Sequence, residues 1–483
     1  MRRTRIIATI GPASDSSEML LNLFQAGVDV CRLNYSHGTP DSKTELYQRI
    51  RSMEEVIGRP TCILADLPGP KLRLGTFPGV VMLEAGQSID LHCGLQSMDS
   101  VDGTALPVQY DGLSAELNEG DPVLVADGLI RLLVKHSPKS PGGIVQCMVE
   151  DGGPVSSQKG VNVPGTLVEL PAIGPKDKLA MAHALAQGAD YIAVSYVRTA
   201  EDLRPAKQAI TEAGVHVPII AKIEHPSALE NLDSILQVAD AVMVARGDLG
   251  VEIPLENVPL EQQTIIDKAI ERGMPVIVAT QMLESMTLQP RPTRAEVSDV
   301  STAIRHGATG VMLSGETASG MYPIETVQTM SKIAYATEQG LDSHDQRPNA
   351  LARFRSTRAV AHAGVELARM SGANRIVVAT EHGNAPRLVT GYHPTIPVTA
   401  VSDRLRALRR TCMLPGVDMV MVDENERGSQ TMKNALTALI EDGRIQPGQR
   451  IVTISGSPLA MRGATSTLRL YRIGENGDII GSE

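Results

Sequence analysis

In Ala221-Lys222-Ile223-Glu224 a lysine and a glutamate stand two positions apart, directly after Ile219 and Ile220. Residues two apart on a β-strand share a face, so both charges point the same way near one strand end. A solvated surface ion pair is the plain alternative, and the flanking isoleucines count against it. Charges on a central strand are costly unless they serve a ligand, a metal or each other. The next apolar run, 240–245, leads into Arg246-Gly247-Asp248-Leu249-Gly250. On neighbouring barrel strands, Asp248 falls within a few ångströms of Glu224. Two carboxylates, a nearby ammonium and glycine-freed backbone amides suit a hard divalent cation, Mg²⁺ or Mn²⁺, with a phosphate or carboxylate beside it. Lys222 is then placed to neutralise charge on a phosphoryl group in transfer.

Other apolar runs end in polar groups of the same kind. Thr280-Gln281 follows 275–279 and offers a hydroxyl that reaches a substrate carboxylate, or an enol carbon through water. Ser314-Gly315-Glu316-Thr317 follows 309–313, and Arg32, Asn34 and Ser36 alternate in Arg32-Leu33-Asn34-Tyr35-Ser36-His37-Gly38. Each alone reads as an ordinary cap or turn residue. Together, at successive strand ends, they point to a site for an anionic small molecule.

The elements that must position these groups recur with a clear rhythm. Apolar runs at 5–9, 29–33, 61–65, 189–194, 218–223, 240–245, 275–279 and 309–313 are short and nearly continuous, as strands buried on both faces are. Helical patterns lie between most of them, at 176–187, 227–238 and 260–271 for example, and Gly27, Gly188, Gly214, Gly273 and Gly307 stand where C-terminal caps belong. Eight such units favour a closed (β/α)8 TIM barrel over an open doubly wound sheet. Residues 71–170 break the rhythm with glycine, proline, aspartate and short alternating runs, which predicts an all-β domain inserted after the third strand and overhanging the site as a lid. The polar stretch 340–356 precedes further α/β alternation. The expected organisation is an α/β protein: barrel over 1–70 and 171–345, β lid over 71–170, and a C-terminal α/β regulatory domain over 346–483.

Composition narrows the function classes. Of the 483 residues, 45 are Lys or Arg and 55 are Asp or Glu, a net charge of −10 that argues against a general nucleic-acid binder. Aromatics make up 2%, with no Trp, so the core must be aliphatic and stacking platforms are scarce. A nucleotide would therefore be held by its phosphates and metal rather than by a stacked base. The five cysteines form no CxxC pair, and no run approaches a membrane span, which together predict a reduced, soluble, cytoplasmic protein without a membrane partner.

Longer motifs carry a resemblance. TRIIATIGPAS (4–14), RLNYSHG (32–38), KGVNVPG (159–165), AKIEH (221–225), MVARGDLGVE (243–252), ATQMLESMTLQPRPTRAEVSD (279–299) and MLSGETAS (312–319) resemble pyruvate kinase, in order and over nearly the whole chain. The resemblance implies transfer of a phosphoryl group from phosphoenolpyruvate to ADP, giving pyruvate and ATP in the last step of glycolysis, usually by a homotetramer. It implies that Glu224 and Asp248 hold Mg²⁺, that Lys222 stabilises the moving phosphoryl group and that Arg32 contacts it. Gly247 and Thr280 would hold the substrate carboxylate, with Asp248 beside them, and Thr280 would belong to the water path that protonates the enolate. Asn34, His37, Arg73 and Lys159 match the nucleotide side, Lys159 coming from the lid.

Two departures from the family pattern make further expectations. Members that use K⁺ bind it through Asn, Ser, Asp and Thr in a segment reading DTKGPE. The matching region here is Asn34, Ser36, Asp66, Leu67 and Lys71, in the run Asp66-Leu67-Pro68-Gly69-Pro70-Lys71. Leu67 lacks the hydroxyl, and a fixed Lys71 ammonium supplies locally the charge K⁺ would bring, so activity without K⁺ is expected. Sugar-phosphate-activated members carry a loop like TESGRSA, and this chain has Thr380-Glu381-His382-Gly383-Asn384-Ala385-Pro386 instead. Fructose 1,6-bisphosphate is then a poor fit. Ser455-Gly456-Ser457 and 462–467 still offer donors to another sugar-phosphate or nucleotide effector. The competing readings are a metal-dependent lyase or aldolase for pyruvate-like substrates on a similar barrel, which needs no ADP, and a non-catalytic metabolite sensor.

Overall fold

The computed structural model describes residues 2–126, 128–166, 168–341, 355–423, 429–456 and 465–481. Eight parallel strands close into a barrel: Arg5–Thr9, Val30–Asn34, Cys62–Asp66, Tyr191–Val194, Ile219–Ile223, Ala241–Ala245, Val276–Ala279 and Gly310–Leu313. All eight expected runs are there, several shifted by a residue or two. Each strand is apolar on both faces because one face fills the barrel and the other meets the helices. Ile7, Leu64, Ile220, Met243 and Ile277 pack inside the barrel, while Ile6, Ile63, Ile219, Val242 and Val278 join the layer beneath the helices. The core is aliphatic, as the scarcity of aromatics requires, with Tyr191 the aromatic residue of the inner cluster.

Gly27, Gly188, Gly214, Gly273 and Gly307 all adopt positive φ where helices turn back to strands. The helix expected over 227–238 is instead two, Pro226–Glu230 and Leu232–Val238. Asn231 divides them: at φ −98° and ψ 10° it ends the first helix and begins the second, and its side-chain amide joins its backbone N–H in donating to the Ser227 carbonyl, at 2.9 and 3.1 Å.

After the third barrel strand the chain builds a six-stranded sheet, in the order Val161–Asn162, Pro122–Val125, Ile130–His136, Ile144–Asp151, Ser88–Cys93, Ala105–Val108, and a two-stranded ribbon of Val80–Leu83 with Gly153–Ser156. A separate cluster that includes Leu91, Leu106, Val123, Leu132 and Val145 forms its core. Ala105–Val108 is hard to see in the sequence because Pro107 reads as a breaker; it ends the sheet order beside Ser88–Cys93, and on its far side a short bridge to Leu74 asks only for the Pro107 carbonyl, which accepts from the Gly75 amide at 2.8 Å.

The C-terminal unit is a second six-stranded sheet, in the order Val417–Met421, Val398–Ser402, Arg375–Ala379, Arg450–Gly456, Thr465–Ile473, Ile479–Gly481. It docks on the amino-terminal end of the barrel. There Arg5, 4% exposed, donates to the carbonyls of Leu414 and Val417 and to Asp29 Oδ1. Asp29 also accepts from Arg2 at 2.6 Å and from the Ile6 amide at 2.9 Å. The five cysteines are buried and unpaired by disulfides. Among the described residues no helix is long and apolar enough to cross a membrane.

Candidate active site

At the carboxyl end of the barrel, charged side chains from consecutive strands meet. Lys222, near the end of Ile219–Ile223, is 8% exposed. Its ammonium lies 2.8 Å from Glu224 Oε1, 3.3 Å from Asp66 Oδ1 and 2.8 Å from the Ser195 hydroxyl. Asp66 closes the third strand and binds Arg32 from the second, with Nε and NH2 each 2.7 Å from Oδ2. A further Arg32 nitrogen donates to Thr9 Oγ1 at 2.9 Å, at the end of the first strand. Parallel registers Asn34 to Asp66 and Ala193 to Asp66 bring these strand ends level. The barrel thus gathers an ammonium, a guanidinium and two carboxylates from sequence positions nearly two hundred residues apart.

The charges reshape one another. Burial works against the Lys222 ammonium, but Asp66, Glu224 and Asp248 outweigh it and hold the lysine above its ordinary pKa. Burial would also raise Asp66, yet Lys222 and Arg32 reverse that and keep its carboxylate below the usual range. For Glu224, burial and the like charge of Asp248 prevail over Lys222, so its carboxyl is pushed up. Lys222 stays charged, while Glu224 and Asp248 repel each other in a way that a cation between them relieves.

Two further residues hold the expected ligands in place, both directly after the fourth barrel strand. Ser195, just after the fourth strand, donates to the Leu67 carbonyl at 2.8 Å while accepting from Lys222. Tyr196, at φ 56°, turns its amide to Glu224 Oε2 at 2.7 Å. Its hydroxyl donates to Glu252 Oε1 at 2.9 Å, which also accepts from Asn162 of the β domain at 2.8 Å. Ser195 and Tyr196 directly follow the apolar run 189–194, and that position is their signal in the sequence.

Gly247 and Thr280 touch: the Gly247 amide donates to Thr280 Oγ1 at 2.7 Å, and Thr280 donates to its own neighbour's carbonyl, Ala279 O, at 2.6 Å. A Cβ at position 247 would lie 3.3 Å from that hydroxyl, so glycine permits the approach. Thr280 and Gln281 both adopt positive φ, which turns the chain sharply at this rim. Asp248 lies in the first turn of the short helix Arg246–Glu252, and Lys71 reaches it, Nζ to Oδ1 3.8 Å. Leu67 is 2% exposed and belongs to the barrel core.

On the nucleotide side, His37, Ser36, Lys71 and Arg73 line a cleft of about 350 Å³ between the barrel rim and the β domain. Arg73 donates to the Gln158 carbonyl at 3.0 Å. Asn34 Oδ1 accepts from the Ser36 amide at 2.9 Å, closing the turn after the second strand. Lys159 is exposed on the β domain, and neither it nor Asn34 lines the cleft. The eighth strand's residues face elsewhere: Glu316, fully buried, accepts from the Ser314 and Leu283 amides and braces the loop. In the C-terminal loop, Glu381 is paired with Arg404 at 2.5 Å and Gly383 donates to Thr380 Oγ1. Ser455 and Gly456 end the strand Arg450–Gly456; Ser457 and residues 462–464 lie outside the described residues.

A closed parallel barrel with a buried cationic and acidic cluster at its carboxyl rim, an all-β unit beside that rim and an α/β sheet at the opposite end defines a (β/α)8-barrel enzyme built for an anionic substrate. Comparison with known proteins is specific. The family model "Pyruvate kinase, barrel domain" matches residues 1–327, and "Pyruvate kinase, alpha/beta domain" matches 358–471. The pyruvate kinase of Geobacillus stearothermophilus is 39% identical over 484 residues, covering 98% of this chain and 81% of that protein. The pyruvate kinase of Mycobacterium tuberculosis is 38% identical over 478 residues, covering 98% and 99%. A solved pyruvate kinase structure from Cryptosporidium parvum superposes with a TM-score of 0.89 at 33% identity, covering 98% of this chain and 96% of that one. The chain belongs to the pyruvate kinase family, and it is accordingly a phosphotransferase of glycolysis.

Proposed function

We propose that the chain transfers the phosphoryl group of phosphoenolpyruvate to ADP at the carboxyl rim of the barrel, with Lys222 and Arg32 flanking that group. The observation that carries this reading is the Lys222 ammonium, buried and set 2.8 Å from Glu224 and 3.3 Å from Asp66. The bond between the enol oxygen and phosphorus breaks, a bond from an ADP terminal oxygen forms, and the enolate left behind takes a proton on carbon. Lys222 and Arg32 offset the charge spread over the phosphoryl oxygens, and Asp66 fixes both by ion pairs. Thr280 orients the substrate carboxylate with the Gly247 amide and passes a proton through water to the enolate.

Glu224 and Asp248 fit a divalent cation. Each Glu224 oxygen has one protein partner and keeps a free lone pair, and burial together with the like charge of Asp248 raises its pKa. Glu224 and Asp248 would hold Mg²⁺ or Mn²⁺, which would supply positive charge against the phosphoryl group.

Activity needs no K⁺ in this reading. Lys71 approaches Asp248, and Leu67 is packed into the barrel core where a hydroxyl ligand would otherwise stand. Asn34, His37, Arg73 and Lys159 serve the nucleotide, and closure of the β domain over the rim would bring Lys159 to it. A homotetramer completes the reading, supported by Leu255, Leu260 and Leu288, each more than two-thirds exposed.

A coupled pyruvate assay tests the proposal. Pyruvate should form from phosphoenolpyruvate only with ADP and a divalent cation, at rates equal within about twofold when Na⁺ or tetramethylammonium replaces K⁺. ADP-independent pyruvate would favour a lyase. A large loss without K⁺ would remove the assigned role of Lys71.

A further inference from the structure

The cleft beside the rim holds two cations that the reaction as described does not use, Lys43 and Lys176, and Lys43 is the one set against an aromatic ring. Lys43 lies in the helix Pro40–Ile57, four residues past its cap Thr39, close to the positive end of the helix dipole. A lysine is unfavourable there. It is also more than half buried, and burial together with the Arg32 guanidinium pulls its pKa below the ordinary value. Among the described residues none of the ion pairs involves Lys43, and no aspartate or glutamate lines the cleft, whereas Lys71, Arg73 and Lys176 do.

The side chain is nonetheless held in a set place. Its ammonium stands 5.9 Å from the centroid of the Tyr35 ring, within cation–π range. That ring is fixed in turn: the Tyr35 hydroxyl meets His183 Nδ1 at 3.0 Å, and His183 Nε2 meets Thr44 Oγ1 at 3.0 Å. Gly38 lies beside the same ammonium, where a Cβ would stand in ordinary contact at 3.8 Å. A desolvated cation with no anionic partner, steered over an aromatic ring into an acid-free cleft, is built for a mobile polyanion.

We propose that Lys43 is a nucleotide-binding residue whose ammonium contacts the diphosphate of ADP. The proposal rests on the reaction above and assigns to its nucleotide side a residue that the family motifs do not mark. Lys43 would set affinity for the nucleotide and leave phosphoenolpyruvate, bound beyond Arg32, unaffected.

Steady-state kinetics and calorimetric ADP binding on the full chain test this, with Lys43→Met and the longer polar Lys43→Gln compared against Lys43→Arg. Lys332→Met, on the exposed face of a distant helix, serves as the control. Loss of one charge-assisted contact predicts that KM and Kd for ADP rise about tenfold, with kcat and KM for phosphoenolpyruvate within about twofold of wild type. Arginine should recover most of the loss, which a purely structural role for the stem would not require. An unchanged KM for ADP, or equal increases in both KM values, would overturn the proposal. Should the wild type show no ADP-dependent turnover, the parent reading fails instead, and the calorimetry alone then decides whether Lys43 binds the diphosphate.

Discussion

The two ends of the barrel are made of the same materials and arranged to opposite purposes. At the amino-terminal end, Asp29 is enclosed by Arg2, Arg5 and the Ile6 amide, and Arg5 spends its remaining donors on carbonyls of the C-terminal unit. Every partner is protein, and a domain covers the cluster. At the carboxyl end, Asp66 likewise holds two cations, Lys222 and Arg32, but Glu224 and Asp248 stand beside them and a cleft opens alongside. A closed cluster stabilises; an open one with competing carboxylates keeps bonding capacity for substrate and metal. Burial and charge alone do not separate them, since Asp29 and Asp66 are both buried and both held below their ordinary pKa by two cations. What separates them is the company each keeps: Asp29 stands among guanidinium groups, whereas beside Asp66 the carboxylates of Glu224 and Asp248 keep bonding capacity for a ligand.

The comparison can be broken most forcefully at Lys222. Lys222→Ala should lower kcat by at least about a thousandfold, with phosphoenolpyruvate binding retained and the thermal transition little changed. Asp29→Asn should do the reverse, costing about 3 kcal/mol of stability by leaving two buried guanidinium groups underpaired, with kcat within about twofold. Its pH dependence follows from sign. Burial alone would raise the Asp29 pKa, and Arg2 and Arg5 more than reverse this. A depressed carboxylate stabilises the fold above its unfolded pKa of about 3.9 and loses that stability as pH falls through the folded value. The gap in thermal stability between wild type and Asp29→Asn should therefore be full at neutral pH and close in strong acid.

A smaller effect is expected from Lys71→Glu, which should lower activity in Na⁺ by about tenfold or more, recovered by adding K⁺. No recovery would mean that Lys71 does not stand in for the ion. Smallest is Tyr196→Phe, which loses the hydroxyl contact to Glu252 and keeps the amide to Glu224. It should cost about 1 kcal/mol of stability with the divalent-cation requirement unchanged.

Much of this is legible in the sequence. The barrel could be read because parallel strands buried on both faces leave uninterrupted runs such as PIIAKI and DAVMVA, and because a charged pair inside such a run has few bland explanations. The strand-end rule puts Lys222 and Glu224 on one rim, and in the structure they stand 2.8 Å apart there. The rest depended on contacts that no spacing encodes. Asp66 was visible as part of an altered cation region, but its pairing with both Arg32 and Lys222 needs three strands in register. Tyr196 reaches Glu224 through a backbone amide, which has no signature in residue type. Asn231 ends one helix and begins the next inside a run whose apolar periodicity continues through it. Lys43 looks like any solvated helix lysine until its neighbours are known.

The central claim is that the open cluster sends a phosphoryl group to ADP, and phosphorus NMR follows that group directly. With wild type, phosphoenolpyruvate, ADP and Mg²⁺, the phosphoenolpyruvate signal should be replaced by the γ-phosphate of ATP, with no inorganic phosphate accumulating, while Lys222→Ala leaves the spectrum unchanged on the same timescale. Pyruvate formed with inorganic phosphate instead of ATP, or ATP formed at the wild-type rate by Lys222→Ala, would contradict the account.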